Sequence, residues 1–193
     1  MQNKKFAVTG GIGSGKSTVC ELLKARGFPV LSCDEISRGF WQEPEYRREL
    51  AALFPDCAEN GEIIKEKLSD RVFSDRNALA SLNAYTHGRI MGRLFALAKQ
   101  FPVCFCEVPL LFESNYESLF DGILVVMRAR ETRINGVIER SGLTQEEVLS
   151  RIENQFDYDN ELAGKSCVVI ENDGSVSDLE TALANALTRL GIS

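Results

Sequence analysis

Short apolar segments alternate along the chain with longer amphipathic stretches. Five of these segments predict β-strands, at residues 5–9, 29–32, 103–107, 122–127 and 167–170. Several are apolar at successive positions, which is typical of strands buried on both faces of a parallel sheet. The amphipathic stretches predict helices at residues 16–26, 45–54, 78–99, 131–140, 145–155 and 177–190. This alternation predicts an α/β fold with right-handed crossovers.

Two helix starts carry capping signals. Thr144 is followed three residues later by Glu147, the spacing of a capping box. The segment that begins at Ser175 supplies further capping residues ahead of the last helix.

The chain length of 193 residues suits one domain. The long helical stretch between the second and third predicted strands exceeds what a minimal α/β domain needs. We therefore predict one domain over residues 1–193, with a core at 1–34, 101–127 and 165–193, a helical substrate-side insert at about 35–100, and a mobile lid at about 128–164.

Composition excludes several classes of function. The chain has 22 basic and 28 acidic residues and a pI near 5.0, whereas a general nucleic-acid binder needs a basic face. Six cysteines without a C-x-x-C pair, and a single histidine, argue against a zinc site and suit a reducing compartment. No segment predicts a secretory leader or a membrane span. We expect a cytoplasmic protein without nucleic-acid, membrane or obligate protein partners.

Residues 10–17 spell GGIGSGKS, which matches the phosphate-loop pattern G-x-x-x-x-G-K-[ST] between a strand and a helix. Glycines let backbone N–H groups approach phosphate oxygens, and the helix that follows points its positive end at them. Lys16 is expected to reach the β- and γ-phosphates, and the Ser17 hydroxyl to ligate Mg²⁺ directly. The predicted ATP contacts are Gly11, Ile12, Gly13, Ser14, Gly15, Lys16, Ser17 and Thr18.

The motif predicts a three-layer P-loop nucleotide-binding fold with a five-stranded parallel sheet, but it does not by itself separate kinases from GTPases or motor ATPases. The chain lacks an N-K-x-D-like guanine-binding motif. The alternative, a glycine-rich turn that binds nothing, does not explain why strand, motif and helix stand in register.

Further segments narrow the class. They are LSCDEIS at residues 31–37, NGEIIKEKLSDRVFSD at 60–75, THGRI at 86–90, EVPLLFE at 107–113, and the stretch from residue 131 that ends in IENDGS at 170–175. Together with the phosphate loop they resemble the dephospho-CoA kinase family over nearly the whole chain. The resemblance implies transfer of a phosphoryl group from ATP·Mg²⁺ to the ribose 3′-hydroxyl of dephospho-CoA, the last step of coenzyme A biosynthesis.

The resemblance assigns the presumed base for the ribose hydroxyl to Asp34. A carboxylate at the carboxyl end of a strand beside the phosphate loop lies where α/β sheets bind ligands, and it can orient a hydroxyl proton. The family's first aspartate in this segment is replaced by Ser32. The alternative for Asp34 is a helix cap, a role that aspartate also fills well.

Two candidates lie on the substrate side. Lys65 stands where the family usually has arginine, which keeps the charge but loses the bidentate fork. His87 is followed by Gly88 in place of the usual proline. A solvated amphipathic helix and a structural histidine are the alternative interpretations.

The EVPLLFE segment supplies a carboxylate and an apolar surface. Glu107 is predicted at a strand end, where P-loop enzymes place a carboxylate near Mg²⁺, and we expect it to act through a water. Pro109, Leu110 and Leu111 are expected to form an apolar wall for the substrate, with core packing as the alternative for the leucines.

The lid region matches the family at Arg140, which would close over the transferring phosphate, and at Gln155. It departs at Gly136 and Glu161, where the family favours cations, and at Arg133, where it favours glutamine. Either Arg133 or Arg130 is then expected to supply the missing charge.

The family's exit loop after the last strand corresponds to residues 170–175. Asn172 and Gly174 are assigned there to the adenine of ATP.

Two rival functions share some of these features. Another small-molecule or nucleoside monophosphate kinase would share the phosphate loop and the arginine lid, but not the EVPLLFE, LSCDEIS and IENDGS segments. A nucleotide-binding switch without transfer chemistry would need neither Asp34 nor a lid arginine.

Overall fold

The computed structural model describes residues 3–192, and the chain divides into two compact units. The first unit, here called the phosphate-loop unit, combines residues 3–31 with residues 98–192. The second, here called the helical unit, is Ser32–Leu97. Residues 128–164, the predicted lid, belong to the phosphate-loop unit rather than to a unit of their own.

In chain order the elements are β1 (Lys4–Thr9), α1 (Lys16–Ala25), β2 (Val30–Ser32), α2 (Cys33–Phe40), α3 (Pro44–Leu53), β3 (Ala58–Glu59), β4 (Glu62–Ile63), α4 (Lys65–Ser74), α5 (Arg76–Ala98), β5 (Val103–Glu107), β6 (Gly122–Met127), α6 (Arg130–Ser141), α7 (Gln145–Glu153), β7 (Val168–Glu171) and α8 (Val176–Arg189). Short 3₁₀ turns lie at Pro55–Cys57, Glu117–Leu119 and Leu162–Gly164.

Five of the strands form one sheet in the order β2-β5-β1-β6-β7. β1 is central and pairs in parallel with β5, where Val8 lies opposite Glu107, and with β6, where Val8 lies opposite Leu124. β6 pairs in parallel with β7. Four successive residues of β6, Ile123 to Val126, are buried, so this strand is covered on both faces. The predicted α/β fold with a five-stranded parallel sheet is confirmed.

The core of the phosphate-loop unit lies between the sheet and helices α1 and α8. Phe6 and Phe105 pack against each other across neighbouring strands, with ring centroids 5.6 Å apart and planes tilted by 32°. Leu23 and Leu183 supply fully buried side chains from the two helices. The capping box predicted at Thr144 is formed at the start of α7, and the capping residue predicted at Ser175 forms a second capping box, with Asp178, at the start of α8. Burial of this apolar surface fixes the helices on the sheet and leaves the phosphate loop at the end of β1.

The helical unit contains α2, α3, α4, most of α5 and a two-stranded hairpin of β3 and β4. The sequence patterns did not predict the hairpin, because its two strands have only two residues each. They also did not delimit α2 or α4. Helix α5 begins at Arg76, two residues before the predicted start, because Asp75 Oδ1 accepts hydrogen bonds from the N–H groups of Asn77 and Ala78 at 2.8 and 3.2 Å.

Within residues 3–192, no helix has both the length and the apolar character that crossing a bilayer requires.

Candidate active site

The phosphate loop connects β1 to α1, and its shape depends on glycine at two positions. Gly10 has a φ of 148°, and a Cβ there would lie 2.3 Å from the carbonyl oxygen of Val126. Gly15, the N-cap of α1, has a φ of 92°, and a Cβ there would lie 2.1 Å from Asn172 Nδ2. Both positions therefore combine a left-handed backbone with a close approach that only glycine allows.

Lys16 folds back over the loop. Its Nζ donates hydrogen bonds to the carbonyl oxygens of Gly10 at 2.6 Å and Gly11 at 3.1 Å. These two bonds hold the ammonium group above the turn, where a phosphate bound by the loop amides would meet it.

The N-terminus of α1 adds positive potential. Its first turn contains no acidic side chain, and both Ser17 and Thr18 are exposed. The N–H groups at this helix end therefore face no carboxylate of their own turn, an arrangement that favours an anion.

The segment after β7 supports the loop from one side. Asn172 Nδ2 donates to the carbonyl oxygen of Ser14 at 2.9 Å, and the Asn172 N–H donates to that of Met127 at 2.9 Å. A Cβ at Gly174 would lie 2.7 Å from Asp178 Oδ2, so glycine here makes room for the capping box of α8. Both residues thus have structural roles, and their contact with adenine stays a prediction.

Residues 155–159, here called the QFDYD segment, support the loop from another side. Gln155 Oε1 accepts a hydrogen bond from the Ile12 N–H at 2.8 Å. The Tyr158 hydroxyl lies 3.0 Å from Thr9 Oγ1. Burial raises the pKa of Tyr158 to about 12, so this hydroxyl stays protonated and can donate at neutral pH.

Glu113, from the EVPLLFE string, anchors the QFDYD segment to the rest of the unit. Its Oε1 accepts a hydrogen bond from the Phe156 N–H at 2.8 Å. The neighbouring Phe112 packs on the Phe156 ring, with the ring centroids 4.6 Å apart. This string therefore has a structural task that is independent of any substrate.

The three predicted lid arginines of α6 differ in their surroundings. Arg133 is 3% exposed, and its Nη2 donates to Asp159 Oδ2 at 2.9 Å. Arg130 and Arg140 are exposed, and within residues 3–192 neither forms an ion pair. Arg130 and Arg133, but not Arg140, line a cavity of about 260 Å³, together with Ile152, Glu153, Gln155, Phe156, Asp157, Tyr158 and Asp159.

Glu107 ends β5 and is half-buried. The pKa of the Cys20 thiol on α1 is raised to about 12, first by burial of the thiol and second by the negative charge of Glu107. The role of Glu107 near a metal stays a prediction. Among residues 3–192 no cluster of three or more His, Cys, Asp or Glu side chains is arranged to hold a metal.

The apolar wall predicted after β5 is divided. Leu111 is completely buried and belongs to the core, whereas Leu110 is 40% exposed and Pro109 is half-buried. Only Pro109 and Leu110 are thus accessible to a ligand.

Asp34 lies in the helical unit, exposed, in the first turn of α2. Ser32, not Asp34, is the N-cap residue. In the part of the chain that the structure describes, the Asp34 side chain forms no hydrogen bond or ion pair. Its carboxylate is therefore available to a ligand, and the capping interpretation loses its support.

Lys65 and His87 also belong to the helical unit. Lys65 Nζ lies 4.5 Å from the centroid of the Trp41 ring, and none of the described carboxylates pairs with it. His87 is half-buried on α5, and desolvation lowers the pKa of its imidazole. A neutral imidazole at pH 7 suits packing or a neutral hydrogen bond better than phosphate binding.

Sequence reasoning missed several residues that the fold brings to the loop. Tyr158, Asp159 and Glu113 are distant from the loop in sequence, and none of them was named as a candidate. Their one signal is that Glu113 belongs to the EVPLLFE string and that the other two follow Gln155, which the resemblance had marked.

A phosphate loop at the end of the central strand of a parallel sheet, with its lysine held over the turn, defines the class of P-loop nucleotide-binding proteins. The family model for dephospho-CoA kinase matches residues 5–178. The chain therefore belongs to the dephospho-CoA kinase family.

Individual relatives agree with this assignment. A dephospho-CoA kinase of Thermus thermophilus is 39% identical over 187 residues, which are 96% of this chain and 91% of the relative. A crystal structure of a Thermus thermophilus protein has a TM-score of 0.84 at 37% identity and covers 98% of this chain and 99% of that one. The dephospho-CoA kinase structure from Campylobacter jejuni has a TM-score of 0.69 at 25% identity, with 98% of each chain covered.

The chain is thus a kinase, and its reaction is the ATP-dependent phosphorylation of dephospho-CoA in coenzyme A biosynthesis. Both rival functions, a different small-molecule kinase and a switch without chemistry, are set aside by the family assignment.

Proposed function

We propose that this chain transfers the γ-phosphoryl group of Mg²⁺-bound ATP to the ribose 3′-hydroxyl of dephospho-CoA, giving coenzyme A and ADP. The observation that carries the proposal is the phosphate loop itself, in which Lys16 Nζ is held over the turn by the Gly10 and Gly11 carbonyls. The positive end of α1, free of acidic side chains, adds to it.

On the donor side, ATP lies along Gly11 to Thr18 with its adenine near Asn172 and Gly174. The loop N–H groups and Lys16 bind the phosphates and stabilise the charge that develops as the bond to the γ-phosphorus breaks. Arg140, exposed near the end of α6, carries charge to the same phosphate when the lid, at about 128–164, closes.

The residues present fit a magnesium ion. The Ser17 hydroxyl is exposed in the first turn of α1, and the Glu107 carboxylate ends β5; Mg²⁺ is usually held by one or two such groups together with substrate phosphates. When bound, the ion would neutralise charge on the β- and γ-phosphates. Ser17 would ligate it directly, and Glu107 would orient a water of its coordination shell.

On the acceptor side, Asp34 orients the 3′-hydroxyl of the ribose. Its exposed carboxylate accepts the hydroxyl proton as the oxygen forms a bond to the γ-phosphorus and the bond to the leaving ADP oxygen breaks. The position of Asp34 directly after β2 supports this role, because ligands of parallel α/β sheets bind beyond the carboxyl ends of strands.

The helical insert, at about 35–100, and the segment that follows β5 supply the rest of the acceptor site. Lys65, set on the Trp41 ring, offers a cation to the diphosphate of dephospho-CoA. His87 contributes a neutral hydrogen-bonding group, and Pro109, Leu110 and Leu111 contribute apolar surface, although burial restricts direct contact to the first two of these three.

A reducing cytosol is the proposed compartment. None of the six cysteines is joined in a disulfide within the described residues, as expected where thiols are kept reduced.

The test is ADP release from ATP·Mg²⁺ with and without dephospho-CoA, followed by the mass of the product and the position of the new phosphate by ³¹P NMR. We expect release that depends on the acceptor and a product one phosphate heavier, substituted at the 3′-oxygen. Phosphate at the 2′-oxygen would contradict the proposed orientation, and acceptor-independent release would contradict phosphoryl transfer.

A further inference from the structure

Arg133 occupies the place where the side chain of residue 11 would lie. A Cβ built on Gly11 would meet Arg133 Nη1 at 2.4 Å, and its next nearest neighbours, Arg133 Cζ and Tyr158 Cδ2, are at 3.6 Å. Gly11 is not among the glycines with positive φ, so its backbone is open to other residues. Contact with this guanidinium is therefore the reason that the structure gives for glycine at position 11.

The guanidinium is fixed rather than mobile. The residue is 3% exposed, and its Nη2 is ion-paired with Asp159 at 2.9 Å. Its Nε is buried and has no hydrogen-bond partner among the described residues. A buried cation is stable only when it is paired, so Asp159 determines where the guanidinium lies.

Asp159 is itself held at the loop. It ends the QFDYD segment, in which Gln155 accepts from the Ile12 N–H and Tyr158 meets Thr9. Arg133 at Gly11 and Gln155 at Ile12 thus contact two successive loop residues from outside.

We propose that Arg133 is a positioning residue for ATP: its guanidinium, oriented by Asp159, packs against Gly11 and fixes the first turn of the phosphate loop in the shape that binds the nucleotide. The proposal rests on the proposed binding of ATP at this loop. It assigns Arg133 a role in donor binding, separate from that of the exposed Arg140 in transfer. Gly11 and Arg133 must then act as a pair.

The experiment is a double-mutant cycle of Gly11→Ala and Arg133→Gln, with the KM for ATP, the KM for dephospho-CoA and kcat measured for each variant. Gly11→Ala alone should raise the ATP KM about tenfold, because the new methyl group meets a guanidinium that its ion pair keeps in place. In the Arg133→Gln background the shorter side chain leaves room, and the same substitution should change the ATP KM less than twofold.

Single variants separate positioning from mere stability. Arg133→Gln and Asp159→Asn should each raise the ATP KM about fivefold with the KM for dephospho-CoA unchanged. Arg133→Lys should recover part of the loss, since it keeps the charge but not the fork. Arg151→Gln, which removes an exposed arginine of α7, is the matched control and should leave all three constants unchanged.

Three results would overturn the proposal. The first is a double variant whose ATP KM is raised by the product of the two single effects. The second is a Gly11→Ala variant with an unchanged ATP KM. The third is an Arg133→Gln variant that melts at a lower temperature but keeps its kinetic constants. Loss of ATP binding in Lys16→Ala tests the phosphate loop independently. If that variant bound ATP normally, the proposed function would fail; if only the coupling were absent, the role of Arg133 alone would fail.

Discussion

The phosphate-loop unit and the helical unit use their charged and polar residues differently. In the first, two side chains distant in sequence contact backbone groups of one loop, Asn172 at Ser14 and Gln155 at Ile12, and Lys16 of the loop bonds to its own turn. In the second, charged residues pair with one another at the surface, as in the bridges Arg93–Glu43 and Lys67–Glu59.

Aromatic rings pack among the charged residues of the helical unit. Tyr46 stacks on Phe40 and on Tyr85, with ring centroids 5.3 and 5.8 Å apart. Arg89 Cζ lies 5.4 Å from the centroid of the Tyr85 ring. Arg89 and Tyr85 both donate hydrogen bonds to the Glu49 carboxylate. Burial raises the pKa of Tyr85 to about 12, which keeps it a donor to that carboxylate.

In the first unit, polar side chains therefore support the backbone of the phosphate loop, whereas in the second several cations are already paired with carboxylates and, among the described residues, Lys65 is not. Exposed ion pairs contribute little to stability, so their carboxylates can release a cation to a ligand at small cost. We therefore expect substitutions near the loop to act on ATP and those in the helical unit to act on dephospho-CoA.

The largest expected effect is that of Lys16→Ala. Removal of the ammonium group from the loop should lower kcat by at least about 10³-fold, because it stabilises the charge on the transferring phosphate. Acceptor-dependent ADP release measures this. Lys24→Ala, which removes an exposed lysine at the other end of α1, is the control, and equal losses in both would remove the special role of the loop lysine.

Asp34→Asn comes next. It should lower kcat about 10²-fold with ATP affinity unchanged, because the amide keeps the shape of the side chain but cannot accept the proton. Single-turnover rates and ATP titration separate the two quantities. Comparable losses in turnover and in ATP binding would contradict the proposed orientation of the ribose hydroxyl.

A matched pair of substitutions tests the comparison of the two units directly. Asn172→Ala should raise the ATP KM about fivefold by removing the bond to the Ser14 carbonyl. Lys65→Ala should raise the KM for dephospho-CoA by a similar factor, because it removes the ammonium group that lies over the Trp41 ring and is proposed to bind the diphosphate. If each substitution changed both KM values equally, donor and acceptor binding would not be divided between the units.

The smallest effect concerns His87, the only histidine. Burial lowers the pKa of His87 from 6.5, so the unfolded chain binds the proton more readily, and folding stability falls as the pH drops below about 6.5. His87→Gln should therefore lose less stability than the wild type between pH 7 and pH 5.5. Urea unfolding midpoints at the two pH values measure this, and parallel losses in both proteins would contradict it.

Local patterns predicted most of the fold. The parallel strands were recognisable because burial on both faces requires apolar residues at successive positions, as in β6. The helix start at Thr144 was recognisable because its cap lies within four residues. The β3–β4 hairpin was missed because two-residue strands are too short to show a period, and the boundaries of α2 because no side-chain cap marks its start.

The phosphate loop was predictable for a similar reason. Its chemistry depends on glycines, a lysine and a hydroxyl within eight consecutive residues, and the backbone conformations that glycine permits at Gly10 and Gly15 are local properties. The sequence by itself therefore determined that this chain has a nucleotide-binding P-loop, and the further motifs indicated the family.

Only the tertiary structure decided which side chains surround that loop. Arg133, Asp159 and Tyr158 lie more than a hundred residues beyond it, and nothing in their local sequence distinguishes a buried ion pair from exposed charges such as Arg140. The QFDYD segment contacts the end of β1 and the loop that follows it. This packing buries Arg133 of α6, whereas Arg140 of the same helix stays exposed. Burial is a property of the whole fold, and it is the fold that buries Arg133 with Asp159 beside the loop and leaves Arg140 exposed.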